Sequence, residues 1–525
     1  MVVPELRPWR GARPHVERIA DAVRPSLARV GDALRRSAGT GSPQVRRGSR
    51  PRPGLYTATA ATAGLALAVG VVTVSGPWDS SGQRTAERDR AVALEAARGA
   101  DHGSTRGRAG TPRETRTPPS APSVLTGLGG TATTVRSAPR GKTLAAVLDP
   151  LLKTPALGRH SASVVDVATG RRLYGTAPGT PLTPASTIKI VTAAAALSAL
   201  GPDHRLTTRA TYEPDTKEVV LVGGGDPTLT ARKKPAPGTA RLSDLAERTA
   251  AALAKRGVRK VTLSYDETLY PGDRRHPIGE NTNIAEITPL MTDEARTDDS
   301  GSGAAPRVPD PAADAARTFG ELLRKYGVQT SPPGPSKSSS RAVTLASVSS
   351  PPLSALVERM LTNSDNDIAE ALARHTAIAT GKRADFAGAS AAVRAQLQRL
   401  KVPLKGAVLR DGSGLDRRDR LTADLLTSLL VKAADPAHPE LRPVLTGLPV
   451  AGFTGTLSGR YADGAGGVVR AKTGTLTGVN TLAGTVVDRD GRLLAFAFLG
   501  TGADRGAAQN ALDKAATALA GCGCR

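Results

Sequence analysis

Two residues near the middle of the chain have the types and the spacing that acyl transfer requires. Ser186 and Lys189 stand three positions apart at the start of a predicted helix, Pro184 to about Leu200, so their side chains return to nearly the same face. A lysine beside a serine hydroxyl can take its proton if burial lowers the pKa of the ammonium group. Alone this spacing is weak evidence, because Ser-x-x-Lys is common on solvated helix faces.

A second polar group follows on a predicted loop, Thr362–Asn366, between two apolar helices. It contains Ser364, Asp365 and Asn366 in succession. A hydroxyl beside a carboxamide could relay a proton to a leaving amine and hold a peptide bond. The alternative is an ordinary polar turn between helices.

A third group, Lys-Thr-Gly-Thr, directly follows the strand-like segment Val468–Ala471. Side chains alternate along a strand, so Thr473 and Thr475 should face the same way. Gly474 has no side chain, which would let a substrate backbone lie close to a strand edge and bind by strand addition. Lys472 supplies a positive charge that suits a substrate with a free carboxylate.

In this order, the three groups resemble the Ser-x-x-Lys, Ser-Asp-Asn and Lys-Thr-Gly motifs of penicillin-binding proteins and serine β-lactamases. Their surroundings resemble the low-molecular-mass class C penicillin-binding proteins, the D-alanyl-D-alanine carboxypeptidase/endopeptidase family (peptidase family S13), over about residues 145–520. In that family a large module separates the first two motifs, and the long interval here fits it. The similarity is carried by Pro184–Lys189, Gly224–Pro227, Asn363–Asn366 with Ala369 and Glu370, Asp411–Leu415, Gly455–Leu457 with Arg460, and Lys472–Thr475.

The resemblance implies a role for each motif. Ser186 would attack the carbonyl of the penultimate D-alanine while Lys189 accepts its proton. Ser364 would pass a proton to the departing D-alanine nitrogen, and Asn366 would orient the substrate amide. The implied catalytic residues are Ser186, Lys189, Ser364 and Lys472, and the implied substrate-binding residues are Asn366, Thr473, Gly474 and Thr475.

The resemblance also implies the oxyanion hole and the ligands. Backbone N–H groups of Ser186 and Thr475 would form the oxyanion hole, and the third motif would hold the terminal carboxylate. The implied partners are peptidoglycan stem peptides as substrates and β-lactam antibiotics as covalent inhibitors. The sequence leaves two alternatives open: a β-lactamase, and a β-lactam-sensing or wall-binding protein without peptidase turnover.

The predicted fold class is α/β, with the penicillin-binding-protein/serine β-lactamase-like transpeptidase fold. That fold has an antiparallel sheet flanked by helices plus an all-helical part. Strand patterns near both ends of the predicted catalytic region suggest that its first and last segments share one sheet. The predicted divisions are a basic cytoplasmic tail (1–54), a transmembrane signal anchor (55–76), a disordered stalk (77–140), the peptidase domain (141–204 and 346–520), an inserted α+β module (205–345) and a tail (521–525).

One third of the formal charge of +24 lies in residues 1–54, which hold 12 arginines against 4 acids. Leu55–Ser75 carries no charge and is about long enough to span a bilayer. The arginines before it predict a cytoplasmic N-terminus and an extracellular catalytic domain. A cleaved leader followed by secretion is the alternative. Nucleic acid is not an expected partner, because the charge comes without an RNA-binding aromatic signature or zinc-finger spacing.

The remaining motifs favour no cofactor. The histidines lack metal-ligand spacing, and Gly223–Pro227 lacks the Lys-Ser/Thr of a phosphate loop, so we expect neither metal nor nucleotide. Asp411 and Ser413 lie in a turn-rich Asp-Gly-Ser-Gly segment that favours a structural role. Cys522 and Cys524 could form a local disulfide or link two chains, but the pattern favours incidental thiols at a frayed end.

Overall fold

The structure, a computed structural model, describes residues 141–461, 464–502 and 504–523. The predicted cytoplasmic tail, membrane anchor and stalk lie outside the described residues. Within those ranges no helix is both long enough and apolar enough to cross a bilayer.

The elements are numbered in chain order through the described ranges. Three short 3-10 turns matter for the site: Ala185–Thr187, Asp293–Ala295 and Gly455–Leu457. The strands are β1 His160–Asp166, β2 Arg172–Thr176, β3 Thr207–Glu213, β4 Glu218–Val222, β5 Lys260–Asp266, β6 Gln329–Thr330, β7 Gly334–Pro335, β8 Val343–Ser349, β9 Val469–Leu476, β10 Val479–Val487 and β11 Leu493–Gly500. The helices are α1 Gly141–Leu152, α2 Ile188–Leu200, α3 Leu242–Ala254, α4 Pro311–Lys325, α5 Leu353–Asn363, α6 Asn366–Ala379, α7 Phe386–Arg399, α8 Ala423–Ala434, α9 Arg442–Thr446 and α10 Arg505–Gly521.

The catalytic sheet has five antiparallel strands in the order β2-β1-β11-β10-β9. The prediction that the first and last segments share one sheet is therefore confirmed. Both faces of this sheet are covered, because successive side chains of β11 point to opposite sides. Phe496 and Phe498 pack in the cluster with α1 and α10, whereas Ala495 and Ala497 lie in the cluster of α2 and α5–α8.

A second sheet lies in the interval between the first two motifs. Its order is β6-β5-β4-β3-β8, with β7 paired to β5, and it mixes parallel and antiparallel pairs. Helices α3 and α4 pack with it to form a separate apolar cluster. Strand β8 runs across the module boundary predicted at residue 345.

Two expectations about local structure were wrong at the motifs. Ser186 lies in the 3-10 turn Ala185–Thr187, so the α-helix begins only at Ile188. The third motif lies inside β9 rather than after a strand, because its residues continue to pair with β10 as far as the hairpin turn.

The break before α6 is shorter than the predicted loop. Ser364 ends α5 in the left-handed conformation, with a φ of 60°. The carboxylate of Asp365 then accepts the N–H of Ile368 and caps α6. A cap of this kind satisfies a backbone donor that the first turn leaves unpaired, so two residues suffice to separate the helices.

The C-terminal tail corrects a further expectation. Cys522 is buried and disulfide-bonded, so incidental free thiols are wrong for this residue. Cys524, the other cysteine of the sequence, lies outside the described residues.

Candidate active site

The side chains of Ser186 and Lys189 meet at the start of α2. Lys189 Nζ lies 2.9 Å from Ser186 Oγ. Ala185, immediately before the serine, has a φ of 47°, a left-handed conformation that is strained for any residue with a Cβ. The turn presents Ser186 half-buried at the cleft while Lys189 stays beneath it.

Lys189 is fully buried and has three polar neighbours. Its Nζ also contacts Asn366 Oδ1 and the Ser413 carbonyl oxygen, each at 2.6 Å. Burial lowers the pKa of Lys189 to about 8, although the negative charges of Asp411 and Asp365 oppose the shift. A group whose pKa lies near the working pH is a good proton acceptor. Lys189 can therefore serve as a base for the serine hydroxyl.

Asn366 of the second motif contacts both the first motif and the predicted inserted module (205–345), called the inserted segment below. Its Oδ1 faces Lys189, and its Nδ2 donates to the Asn283 carbonyl at 2.9 Å. Because one side of the amide meets a donor and the other an acceptor, its orientation is fixed. Ser364 lines the cleft beside it.

The third motif forms the opposite wall. Thr473 Oγ1 donates to Thr456 Oγ1 at 2.9 Å, and Gln509 Nε2 donates to Thr475 Oγ1 at 3.4 Å. Both threonines of the motif line the cleft, as strand alternation predicts.

Gly474 packs against the turn Ala185–Thr187 that carries Ser186, the nucleophile turn, and this contact leaves no room for a side chain. A Cβ at this position would lie 2.1 Å from Thr481 Oγ1, 2.6 Å from the Pro184 carbonyl oxygen and 3.1 Å from the Ser186 nitrogen. This packing is a reason for the glycine besides the approach of substrate, which stays a prediction.

Lys472 is fully buried and is not one of the residues that line the cleft. Its Nζ donates to the Thr473 carbonyl at 2.9 Å. Burial holds its pKa well below the usual range, and the charge of Lys189 adds to this effect. The expected contact between Lys472 and a substrate carboxylate remains a prediction.

The three motifs surround one cleft of about 470 Å³. Four arginines also line it: Arg296 and Arg307 from the inserted segment, and Arg460 and Arg505 from the C-terminal part. Sequence reasoning found Arg460 only through the family resemblance, and it missed the other three. Arg296 is paired with Glu294, Arg307 with Asp367 and Arg460 with Asp513. The charge of Arg505 is therefore the one that best suits an anionic substrate.

A buried cluster of carboxylates and arginines packs next to the second motif, and the sequence analysis did not predict it. Glu294 is paired with Arg296 at 2.8 Å and with Arg359, and Asp367 with Arg307 at 2.9 Å. Burial, reinforced by the charge of Asp365, raises the pKa of Glu294 to about 9. The turn Asp293–Ala295 that carries it has three consecutive left-handed residues, which no sequence pattern signals.

Among the residues that the structure describes, two groups of side chains have the types that could hold a metal ion: Glu294 with Asp365 and Asp367, and His276 with Glu370 and Asp411. Arginines balance the first group, while backbone N–H groups and Arg374 bind the carboxylates of the second. Such contacts are typical of structural ion pairs rather than of a metal centre.

The cleft and the Ser186–Lys189–Asn366 contacts are those of a serine acyl-transfer enzyme of the penicillin-binding class. The fold agrees, because the chain superimposes on penicillin-binding protein 4 from Haemophilus influenzae with a TM-score of 0.58. That match is 22% identical and covers 72% of this chain and 98% of the other.

The sequence profile of the D-Ala-D-Ala carboxypeptidase 3 (S13) family matches residues 144–300 and 295–521, and the chain belongs to this family. It is 36% identical over 423 residues to a carboxypeptidase of Mycobacterium tuberculosis, covering 78% of this chain and 90% of that protein. Carboxypeptidase DacB of Mycolicibacterium smegmatis is 38% identical over 402 residues, covering 74% of this chain and 85% of its own length.

Proposed function

We propose that this protein is a serine D-Ala-D-Ala carboxypeptidase that cleaves peptidoglycan stem peptides through an acyl-enzyme on Ser186. The observation that carries the proposal is the buried Lys189 amine, 2.9 Å from Ser186 Oγ and 2.6 Å from Asn366 Oδ1, beneath a cleft lined by arginines. The named carboxypeptidase relatives support the same activity.

Acylation begins when neutral Lys189 takes the hydroxyl proton of Ser186. The serine oxygen bonds to the carbonyl carbon of the penultimate D-alanine. Backbone N–H groups of Ser186 and Thr475 hold the developing oxyanion, and each such donor is worth roughly 3–4 kcal/mol. As the peptide bond breaks, Ser364 gives its hydroxyl proton to the nitrogen of the leaving D-alanine and takes up the proton that Lys189 removed from Ser186. In deacylation, water attacks the ester carbon, and Lys189 takes a proton from this water and returns it to Ser186 Oγ as the ester bond breaks.

The third motif binds the leaving residue. The half-buried hydroxyls of Thr473 and Thr475 can donate to its terminal carboxylate, and Asn366 holds the amide on the acyl side. Arg505 at the cleft supplies a positive charge that favours this carboxylate. The same groups bind β-lactams, which acylate Ser186 but resist deacylation.

We propose endopeptidase cleavage as a second activity of the same site, in which the leaving amine belongs to a neighbouring stem peptide. It uses the same proton transfers, so the two activities differ only in the size of the leaving group.

We also propose that the chain is anchored in the cell membrane through residues 55–76, with the N-terminus cytoplasmic and the catalytic domain extracellular. The support is the uncharged length of Leu55–Ser75 and the arginines before it. Release after cleavage of this segment is the alternative. Fractionation of cells, followed by mass determination of the mature chain, separates the two.

The test of the activity uses the full-length chain, a fluorescent penicillin and a D-Ala-D-Ala pentapeptide. We expect the label on Ser186, its loss in Ser186→Ala, and release of D-alanine by the wild type. Labelling without D-alanine release would favour the sensor, and rapid hydrolysis of the penicillin would favour a β-lactamase. A folded chain that takes no label would refute the proposal.

A further inference from the structure

The turn Asp411–Gly414 lies against Lys189, and no step proposed above uses it. Its Ser413 carbonyl accepts from Lys189 Nζ at 2.6 Å. Its Gly412 carbonyl accepts from Thr192 Oγ1, one turn further along α2, at 2.7 Å. Both carbonyls therefore face α2, and one of them is a direct neighbour of the base.

The N–H groups of the same turn are held from the opposite side by one carboxylate. Glu370 Oε1 accepts from Gly412 at 2.9 Å and from Ser413 at 3.0 Å, while Oε2 is paired with Arg374 at 3.1 Å. Glu370 and Arg374 are each about 1% exposed. Hydrogen bonds to an ionised acceptor are roughly twice as strong as neutral ones, so the carboxylate is a firm anchor for the turn.

Asp411 closes the turn. Its carboxylate accepts from the N–H groups of Gly414 at 2.6 Å and Asp416 at 2.7 Å. It also contacts His276 Nε2 of the inserted segment at 3.0 Å. Side chains cannot replace the glycines, because a Cβ on Gly414 would lie 2.1 Å from the Ala185 carbonyl oxygen.

These contacts determine where the lone pair of neutral Lys189 points. A neutral amine has two N–H donors and one lone pair. The Ser413 carbonyl and the Asn366 Oδ1 are acceptors only, so they take the two N–H groups. The lone pair is left for Ser186 Oγ, whose proton it must receive. If the Ser413 carbonyl turned away, the amine could rotate and the lone pair would no longer be directed.

We propose that Glu370 is a positioning residue for catalysis: by holding the amides of Gly412 and Ser413, it aims the Ser413 carbonyl at Lys189 and so directs the lone pair of the base toward Ser186. This inference rests on the proposed function. Glu370 acts through the turn and touches neither substrate nor nucleophile.

The charges around Lys189 provide a readout that a purely structural role would not move. Within the described ranges, five ionisable groups interact electrostatically with Lys189. They are Asp365, Asp367 and Glu370 of α6 and its cap, Asp411 of the turn, and Lys472 of β9. The carboxylates raise the pKa of Lys189 against the larger effect of burial. Removing the charge of Glu370 should therefore move the acidic limb of the rate profile to lower pH, since the amine becomes neutral sooner.

The experiment compares two variants of the full-length chain with two matched controls. Glu370→Gln removes the anchoring charge, and Thr192→Val removes the bond to the Gly412 carbonyl with little change of shape. Asp166→Asn removes a buried carboxylate on β1 that is paired with Arg492. Strands β11 and β10 separate β1 from β9. Thr249→Val removes an equally buried threonine bond, confined to α3 of the inserted module. The acylation rate by a fluorescent penicillin is measured from pH 5 to 10, together with Tm.

For Glu370→Gln we expect a loss of about 10²-fold in the plateau acylation rate, the scale of a small misplacement of reacting groups, with the acidic limb at lower pH. Thr192→Val should lower the plateau rate by about two- to tenfold, and it keeps the inference testable if Glu370→Gln does not fold. Both controls should acylate at the wild-type rate. Folded variants whose plateau acylation rate equals that of wild type overturn the inference alone, even if the limb moves, because loss of the charge by itself lowers the pKa of Lys189. A wild-type chain that forms no adduct overturns the proposed function and this inference with it.

Discussion

Replacing Gly474 by alanine should damage catalysis by displacing the nucleophile. The added Cβ would lie 2.6 Å from the Pro184 carbonyl oxygen, whereas ordinary contacts begin at 3.4 Å. The Thr481 side chain cannot easily move aside. Its Oγ1 would lie 2.1 Å from the new carbon, and it already donates to the Pro184 carbonyl at 2.8 Å. The turn that carries Ser186 must therefore move away from β9.

The size of the effect follows from that displacement. A shift of about 1 Å in a reacting group costs about 10²-fold in rate, which is about 2.7 kcal/mol of activation free energy. Overpacking a close contact also costs about 1–3 kcal/mol of folding free energy. For a unit of this size, each 1 kcal/mol lowers Tm by about 2–4 °C.

The assay for Gly474→Ala is the second-order rate of acylation by a fluorescent penicillin, measured well below Tm. The matched control is Gly179→Ala, because a Cβ at Gly179 would meet no atom within 4 Å. We expect the control to match wild type in rate and in Tm. If Gly474→Ala also matched wild type in both, the contact between β9 and the nucleophile turn would not constrain Ser186, and this reasoning would be refuted.

Three further predictions concern charge. Acylation should rise with pH and level off above the Lys189 pKa of about 8, because only the neutral amine accepts the serine proton; a flat profile from pH 6 to 9 would contradict this. Arg307→Met should cost about 3–5 kcal/mol, since it leaves Asp367 buried without its partner. Burial already raises the pKa of Asp367 to about 6, so the Tm of Arg307→Met should fall further below that of wild type as pH rises from 5 to 8. As a control, removing the exposed Arg317 should cost less than about 1 kcal/mol. Arg505→Ala should raise KM for a peptide ending in a carboxylate while sparing kcat, and an unchanged KM would exclude this arginine from substrate binding.

The motifs were readable from sequence because each is local. Ser186 and Lys189 are three positions apart, and the lysine–serine contact needs only one turn of chain. The alternation that placed Thr473 and Thr475 on one face needs only a strand. The shared sheet of the first and last segments also followed from pattern, because strands near both ends of the catalytic region needed partners.

The support beneath those motifs was not readable, because it depends on contacts between distant segments. Asn366 Nδ2 donates to Asn283, 83 positions away, and the Gly412 amide binds Glu370, 42 positions away. No local pattern predicts the left-handed turn at Asp293–Ala295 or the burial of Lys472. The Asp-Gly-Ser-Gly segment was expected to be structural, and its contact with Lys189 appears only once the fold brings α2 and α6 together.

The pairing of the first and last strands of the catalytic sheet affects when the protein becomes active during its synthesis. β1 pairs with β11, and Asp166 is bound to Arg492 across 326 residues of chain. Contacts of such long range form slowly, because the whole intervening loop must be confined first. During synthesis Ser186 and Lys189 emerge long before β9–β11, so the nascent chain carries its nucleophile without the strand that holds it. The protein should stay inert toward penicillin until its last strands have been made, and chains truncated before Leu493 should never acquire activity.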